Sequence, residues 1–305
     1  MHVLCATDLT PRSEAALRRA AALASRAGGS LTLLHVAGSL AASRKPNPKL
    51  TAVADSLTGP GAPRIDVLLR HGNVLDTIAH TAVTRAADLI VVAAPRARRL
   101  DAIVGTSAER LIRGAARPVL VVRGGVNGHY EQVTIAAGLN SSTAAMLNAA
   151  VRLAGLDGAY ATLVHALQLP YDGMMRIASL DETAIEQYQR GFKDVARNKL
   201  WQLALEAGLQ SGRSRVDVRI QPAAQAIRSV LEHDRPELLA IGANRWFLIK
   251  RLAMGSVADQ VLRTAQCDVL VIPRRRAEPP PGDRGLRIPK ASPNFAVESM
   301  LSVGA

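Results

Sequence analysis

The sequence predicts an α/β protein built from two tandem five-stranded, doubly wound parallel sheets, paired through their last strands. Three observations lead there. Short Val/Leu/Ile runs alternate with segments of helical period. The same series of blocks occurs twice in one order. The length of 305 residues suits two domains rather than one.

The repeat is read block by block. Val3–Leu17 (VLCATDLTPRSEAAL) matches Val133–Leu147 (VTIAAGLNSSTAAML), offset by 130. Leu31–Val36 matches Ala161–Ala166 at the same offset. Asp88–Pro95 matches Glu237–Asn244, and Val104–Arg123 matches Met254–Pro273, at offsets of 149 and 150. The drift falls in loops, as expected for a duplicated domain. The predicted organisation is a first domain over 1–123, a glycine-rich linker over 124–130, a second domain over 131–273 and a disordered basic, proline-rich tail over 274–305.

In the first half, strands are expected near 2–7, 30–36, 65–69, 88–94 and 118–123. Their continuous apolar character is that of strands covered on both faces. A helix over Arg12–Ala27 places Ala16, Leu17, Ala20, Leu23 and Ala27 on one stripe, and Gly28 stops it. Pro46 and Pro48 curtail the next helix. The second half has a long helix there instead, over Asp181–Ala207, with Ile185, Tyr188, Phe192, Val195, Leu200 and Leu203 as its apolar face. The equivalent last strands, PVLVVR and DVLVIP, are apolar edges that are best covered by each other. That makes the chain an intramolecular pseudo-dimer.

Composition narrows the function classes. The formal net charge is +13, and 32 of the 38 basic residues are arginine. They are spread along the chain, and aromatics make up only 3%. Specific nucleic-acid binding through stacked bases is therefore not expected. No apolar run approaches the ~20 residues of a membrane span, so membrane insertion is not expected. The amino-terminal residues do not read as a secretory signal. Two cysteines without a C-x-x-C predict neither a disulfide framework nor a zinc site. Together these features predict a cytoplasmic protein.

Ligands of doubly wound sheets sit at the carboxyl ends of the strands, where strand order reverses. The candidate loops are 7–11 and 94–107 in the first half, and 137–141 and 243–257 in the second. Gly105-Thr106 and Gly255-Ser256 each open a predicted helix. They combine a close backbone approach, free N–H groups and a hydroxyl, which suits a phosphate; the same pairs also suit a plain helix cap. The P-loop pattern, G-x-G-x-x-G, G-x-S-x-G and metal-ligand spacings are absent from the sequence. His35 and His165 occupy equivalent strand ends and read as repeated core histidines.

The block order resembles the universal stress protein family in its tandem two-domain form, over nearly all of residues 1–273. The family signature is Gly, two residues, Gly, nine residues, then Gly-Ser/Thr, with an Asp after the first strand and a strand ending in His-Val. The second half reads Gly242-Ala243-Asn244-Arg245, nine residues, then Gly255-Ser256, so Arg245 stands at the second glycine. Its Asp position is Gly138, and its His-Val pair is His165-Ala166. The first half keeps Asp8, His35-Val36 and Gly105-Thr106, but Ala93 replaces the first glycine and the loop is one residue shorter.

By resemblance, Asp8 and Val36 would contact a nucleoside, Gly105 and Thr106 a phosphate, and Gly242, Arg245, Gly255 and Ser256 a second anion. Arg245 either fills the space of a phosphate or replaces backbone donors with a guanidinium. The implied ligand is ATP or another small anion, in sites that are both incomplete, with no metal. The expected function is a non-enzymatic stress-response protein with degenerate nucleotide loops. The alternatives are an ATP-binding, weakly hydrolysing regulator and a ligand-free scaffold for protein partners. Further self-association would use other faces.

Overall fold

The computed structural model describes residues 1–38, 48–94, 111, 116–124, 128–169, 181–243 and 257–273. Ten strands form one sheet. They are β1 (His2–Thr7), β2 (Ser30–Ala37), β3 (Arg64–His71), β4 (Leu89–Ala93), β5 (Val119–Val122), β6 (Gln132–Ala136), β7 (Tyr160–Ala166), β8 (Ser214–Arg219), β9 (Leu238–Ala243) and β10 (Asp268–Pro273). The spatial order is β3-β2-β1-β4-β5-β10-β9-β6-β7-β8.

Each half is wholly parallel, and the repeat seen in the sequence is a repeat of strand order. The two halves join where β5 and β10 pair antiparallel, with Val121 opposite Val269 and Leu120 opposite Leu270. The last strands therefore cover each other, as their apolar sequences require. All four residues of β5 are buried. The two five-stranded halves thus join through their last strands into one ten-stranded sheet.

Seven helices are described: α1 (Ser13–Arg26), α2 (Pro48–Ser56), α3 (Val74–Thr84), α4 (Thr143–Ala154), α5 (Glu182–Glu206), α6 (Ala223–Asp234) and α7 (Val257–Thr264). One core lies between the sheet and α1, α4 and α5; the other lies under α3, α6 and α7. Helix α1 buries Ala16, Leu17, Ala20 and Leu23 as expected. Gly28 takes a φ of +55° just past its end, the left-handed conformation that ends helices. Ala27 is exposed rather than part of the stripe, because the chain has already left the helix there. The curtailed helix of the first half is α2, which opens on Pro48 and buries Leu50 and Ala54.

The long helix α5 needs one correction. Val195 is 68% exposed, while Ala196 is buried. The buried positions Ile185, Ala196, Leu200 and Ala204 follow the helical period. A small alanine holds the place that the sequence suggests for valine, so the helix sits close to the sheet.

The seam contains a buried polar cluster that the apolar stripe of α1 did not predict. Arg19 of α1, Tyr130 of the linker and Asp268 of β10 are 3%, 1% and 4% exposed. The Arg19 guanidinium lies 4.0 Å from the centre of the Tyr130 ring, a cation–π contact. It also donates to the Gly128 carbonyl, and its Nε is 3.6 Å from an Asp268 carboxylate oxygen. Tyr130 Oη donates to Asp268 Oδ2 at 2.8 Å, and the Arg123 amide donates to Oδ1 at 2.8 Å. Burial pushes the Asp268 carboxyl above its ordinary value, against the pull of these donors and of Arg19. The cluster ties α1, the linker and the last strand together.

Candidate functional site

Strand order reverses between β1 and β4 in the first half and between β6 and β9 in the second. Both switch points lie at carboxyl ends, where the sequence placed its candidate loops. Asp8 follows β1 directly. Its Oδ1 accepts from the Thr10 amide at 3.0 Å, from Thr10 Oγ1 at 2.7 Å and from the Ser13 hydroxyl. Partial desolvation raises its pKa, but the hydrogen bonds from Ser13 and Thr10 outweigh it and leave the carboxyl below its usual value. Leu9 beside it has a φ of +59°. Asp8 is thus the centre of an Asx-type turn that launches α1. Thr10 and Ser13, its partners, were not singled out from sequence, although Asp-x-Thr before a helix is a turn signal.

The second half builds the same turn from a different residue. Gly138 stands at the Asp8 position. Asn140 supplies the side chain, accepting from Ser142 Oγ at 2.6 Å and from the Ser142 amide at 3.1 Å. Thr143 Oγ1 donates to the Gly138 carbonyl at 2.7 Å. The turn has kept its hydrogen bonds while its carboxylate has gone.

The paired histidines do the same work in both halves. His35 Nδ1 lies 2.8 Å from the Thr7 carbonyl, and His165 Nδ1 lies 2.9 Å from the Ala137 carbonyl. Each ring pins the end of the first strand of its half, as the core reading of these residues expects. Burial lowers the His165 pKa, so its imidazole is held neutral. Val36, next to His35, is half-buried against the core under α3.

A crevice of about 210 Å³ opens at the second switch point. Gly138, His165, Ala166 and Gly242 line it from the strand ends, Ile227 from α6 and Val257 from the start of α7. Among the described residues, no charged side chain borders it. Gly242, at the end of β9, is the one predicted anion-loop residue of this half that the structure brings to the crevice. Arg245, Gly255 and Ser256 lie outside the described residues, as do Gly105 and Thr106 of the first half and the tail. Among the described residues, no group of three or more His, Cys, Asp or Glu could hold a metal ion. Cys5 is fully buried, which pushes its thiol up to about 12 and makes it a poor nucleophile. Among the described residues, no helix is long and apolar enough to cross a membrane.

Fold and crevice define a duplicated, doubly wound α/β protein with a crevice at a topological switch point. The family model for the universal stress protein family matches residues 1–123 and again 129–273. The chain belongs to the universal stress protein family, in its tandem two-domain form. A comparison with curated proteins finds no match. Among solved structures, a universal stress protein from Archaeoglobus fulgidus is 15% identical with a TM-score of 0.60, covering 91% of this chain and 97% of that one. A universal stress protein from Pseudomonas aeruginosa UCBPP-PA14 is 18% identical with a TM-score of 0.61, covering 89% and 92%. At these identities the likeness is one of fold.

Proposed function

We propose that the chain is a non-catalytic stress-response protein of the cytoplasm whose nucleotide sites are degenerate. One observation carries this reading. The carboxylate after the first strand is engaged by its own turn in the first half, through Thr10 and Ser13, and is replaced by Gly138 in the second. Asp8 thus serves its own turn through Oδ1, and the second half has no carboxylate at this position. Among the described residues the crevice of the second half is lined by uncharged side chains, which supports a weakly held or non-nucleotide ligand. Protein partners then carry the output.

A second reading has its own support. The crevice lies at the switch point and is lined by two glycines, Gly138 and Gly242, which leave room for a base. In this reading ATP binds the second half, with arginines of its loop supplying charge to the phosphates.

The test is direct. Freshly purified protein is denatured, released nucleotide is identified by chromatography, and ATP is titrated by calorimetry. The degenerate reading expects no copurifying nucleotide and no heat at millimolar ATP. It also expects Gly138→Asp, which restores the missing carboxylate at a residue without positive φ, to gain measurable ATP binding. Bound ATP in the parent chain, lost on Gly255→Arg, establishes the second reading instead.

A further inference from the structure

A second cavity lies at the other end of the same strands, away from the switch point. It has a volume of about 270 Å³, and Gln132, Thr134, Tyr160, Thr162, Arg215 and Asp234 are among the residues that line it. These residues stand at the amino-terminal ends of β6, β7 and β8 and at the last residue of α6.

The first half shows what fills the corresponding place. There the position of Gln132 is His2, which begins β1 as Gln132 begins β6. The His2 ring fits between the strand and the end of α3. Its Nδ1 is 2.9 Å from the Arg85 carbonyl and its Nε2 is 2.9 Å from Thr32 Oγ1. Thr32 corresponds to Thr162, since both pair with the third residue of their half's first strand. Beside the ring, Arg85 at the helix end meets Asp66 on β3 at 3.5 Å. The second half keeps this frame with the charges exchanged. Asp234 ends α6, and Arg215 on β8 reaches both its oxygens at 2.6 Å. Arg215 Nε donates to Thr162 Oγ1 at 3.1 Å. Frame and threonine are retained, and the ring is gone.

One further residue points into chemistry. Thr134 occupies the place of Leu4, a core residue of the first half. It is 0% exposed, and its hydroxyl has no hydrogen-bond partner. A buried hydroxyl without a partner costs about 1–3 kcal/mol as a general rule. Replacing an apolar core residue with such a group beside a cavity makes sense when something in the cavity bonds to it.

We propose that this cavity binds a small, neutral, planar nitrogen heterocycle of the imidazole type, seated where the His2 ring sits in the first half. The volume lies below the ~300–1,000 Å³ of pockets for drug-sized ligands and suits a single ring. The Thr134 hydroxyl donates to the lone-pair nitrogen. Tyr160, 46% exposed at the rim, offers an aromatic face for offset stacking. The Arg215 charge is already matched by Asp234, so the site favours a neutral ring over an anion. Ordered water is the competing occupant, because the cavity has room for it and Thr134, Thr162 and Asp234 offer it partners.

The probe is imidazole, added to the full chain at a pH where it is neutral and followed by amide NMR. Saturable shifts centred on Thr134, Tyr160, Thr162 and Asp234 are expected. Gln132→His should abolish them by seating its own ring, and the isosteric Thr134→Val should weaken binding about tenfold. Shifts that never saturate mean that water alone fills the cavity, and the proposal falls. Affinity unchanged in Thr134→Val overturns it as well, and that variant serves if Gln132→His does not fold. ATP takes no part, so the outcome is independent of the nucleotide crevice.

Discussion

Asp8, a candidate nucleoside contact, also braces its own turn, and His165, read as a core histidine, pins a strand end. The position of Asp8 after the first strand was legible in the sequence. Its engagement was not, because that depends on Thr10 and Ser13 folding back onto one carboxylate oxygen. Asp8→Ala should cost about 1 kcal/mol through these lost hydrogen bonds, with or without nucleotide; denaturant melts measure it. His165 carries a pH signature. Its folded pKa is lowered, mainly by burial, from the ordinary 6.5. Between that lowered value and 6.5, the unfolded chain binds the proton and the folded one does not. Stability should therefore fall as pH drops below about 6.5. Thermal melts across this range should show a shallower slope for His165→Asn than for the parent.

At the level of elements, the strands were read almost to the residue, because an unbroken apolar run has few other fates in a domain of this length. Helix α1 and the long α5 were legible as well. The phase of α5 was not. Bulk alone favours Val195 over Ala196, yet close approach to the sheet selects the smaller residue one position on. Ala196→Leu should therefore destabilise by about 1–3 kcal/mol through overpacking. Val195→Lys, on the exposed side, should stay within about 0.5 kcal/mol. Equal effects of the two changes in denaturant melts would sink this assignment. The asymmetry between α2, with 9 residues, and α5, with 25, came directly from the two prolines.

For the whole molecule, the duplication and the pairing of last strands were legible, because apolar edges need a partner. The cluster that fastens the seam was not. Arg19 looks like a solvent-facing helix residue until the linker brings Tyr130 over it and β10 brings Asp268 beside it. Removing one member of a buried ion pair strands the other, at a cost of about 3–5 kcal/mol. Arg19→Met and Asp268→Asn should each show a loss of this order, and the double variant should lose less than their sum.

The antiparallel meeting of β5 and β10 turns the carboxyl ends of the two halves toward opposite rims of the sheet. A parallel meeting would have crowded both switch points onto one side, where two guests would compete for room. Here they face away from each other, so the two candidate crevices lie on opposite rims. The two rims therefore have separate surroundings, and neither stands in the way of the other.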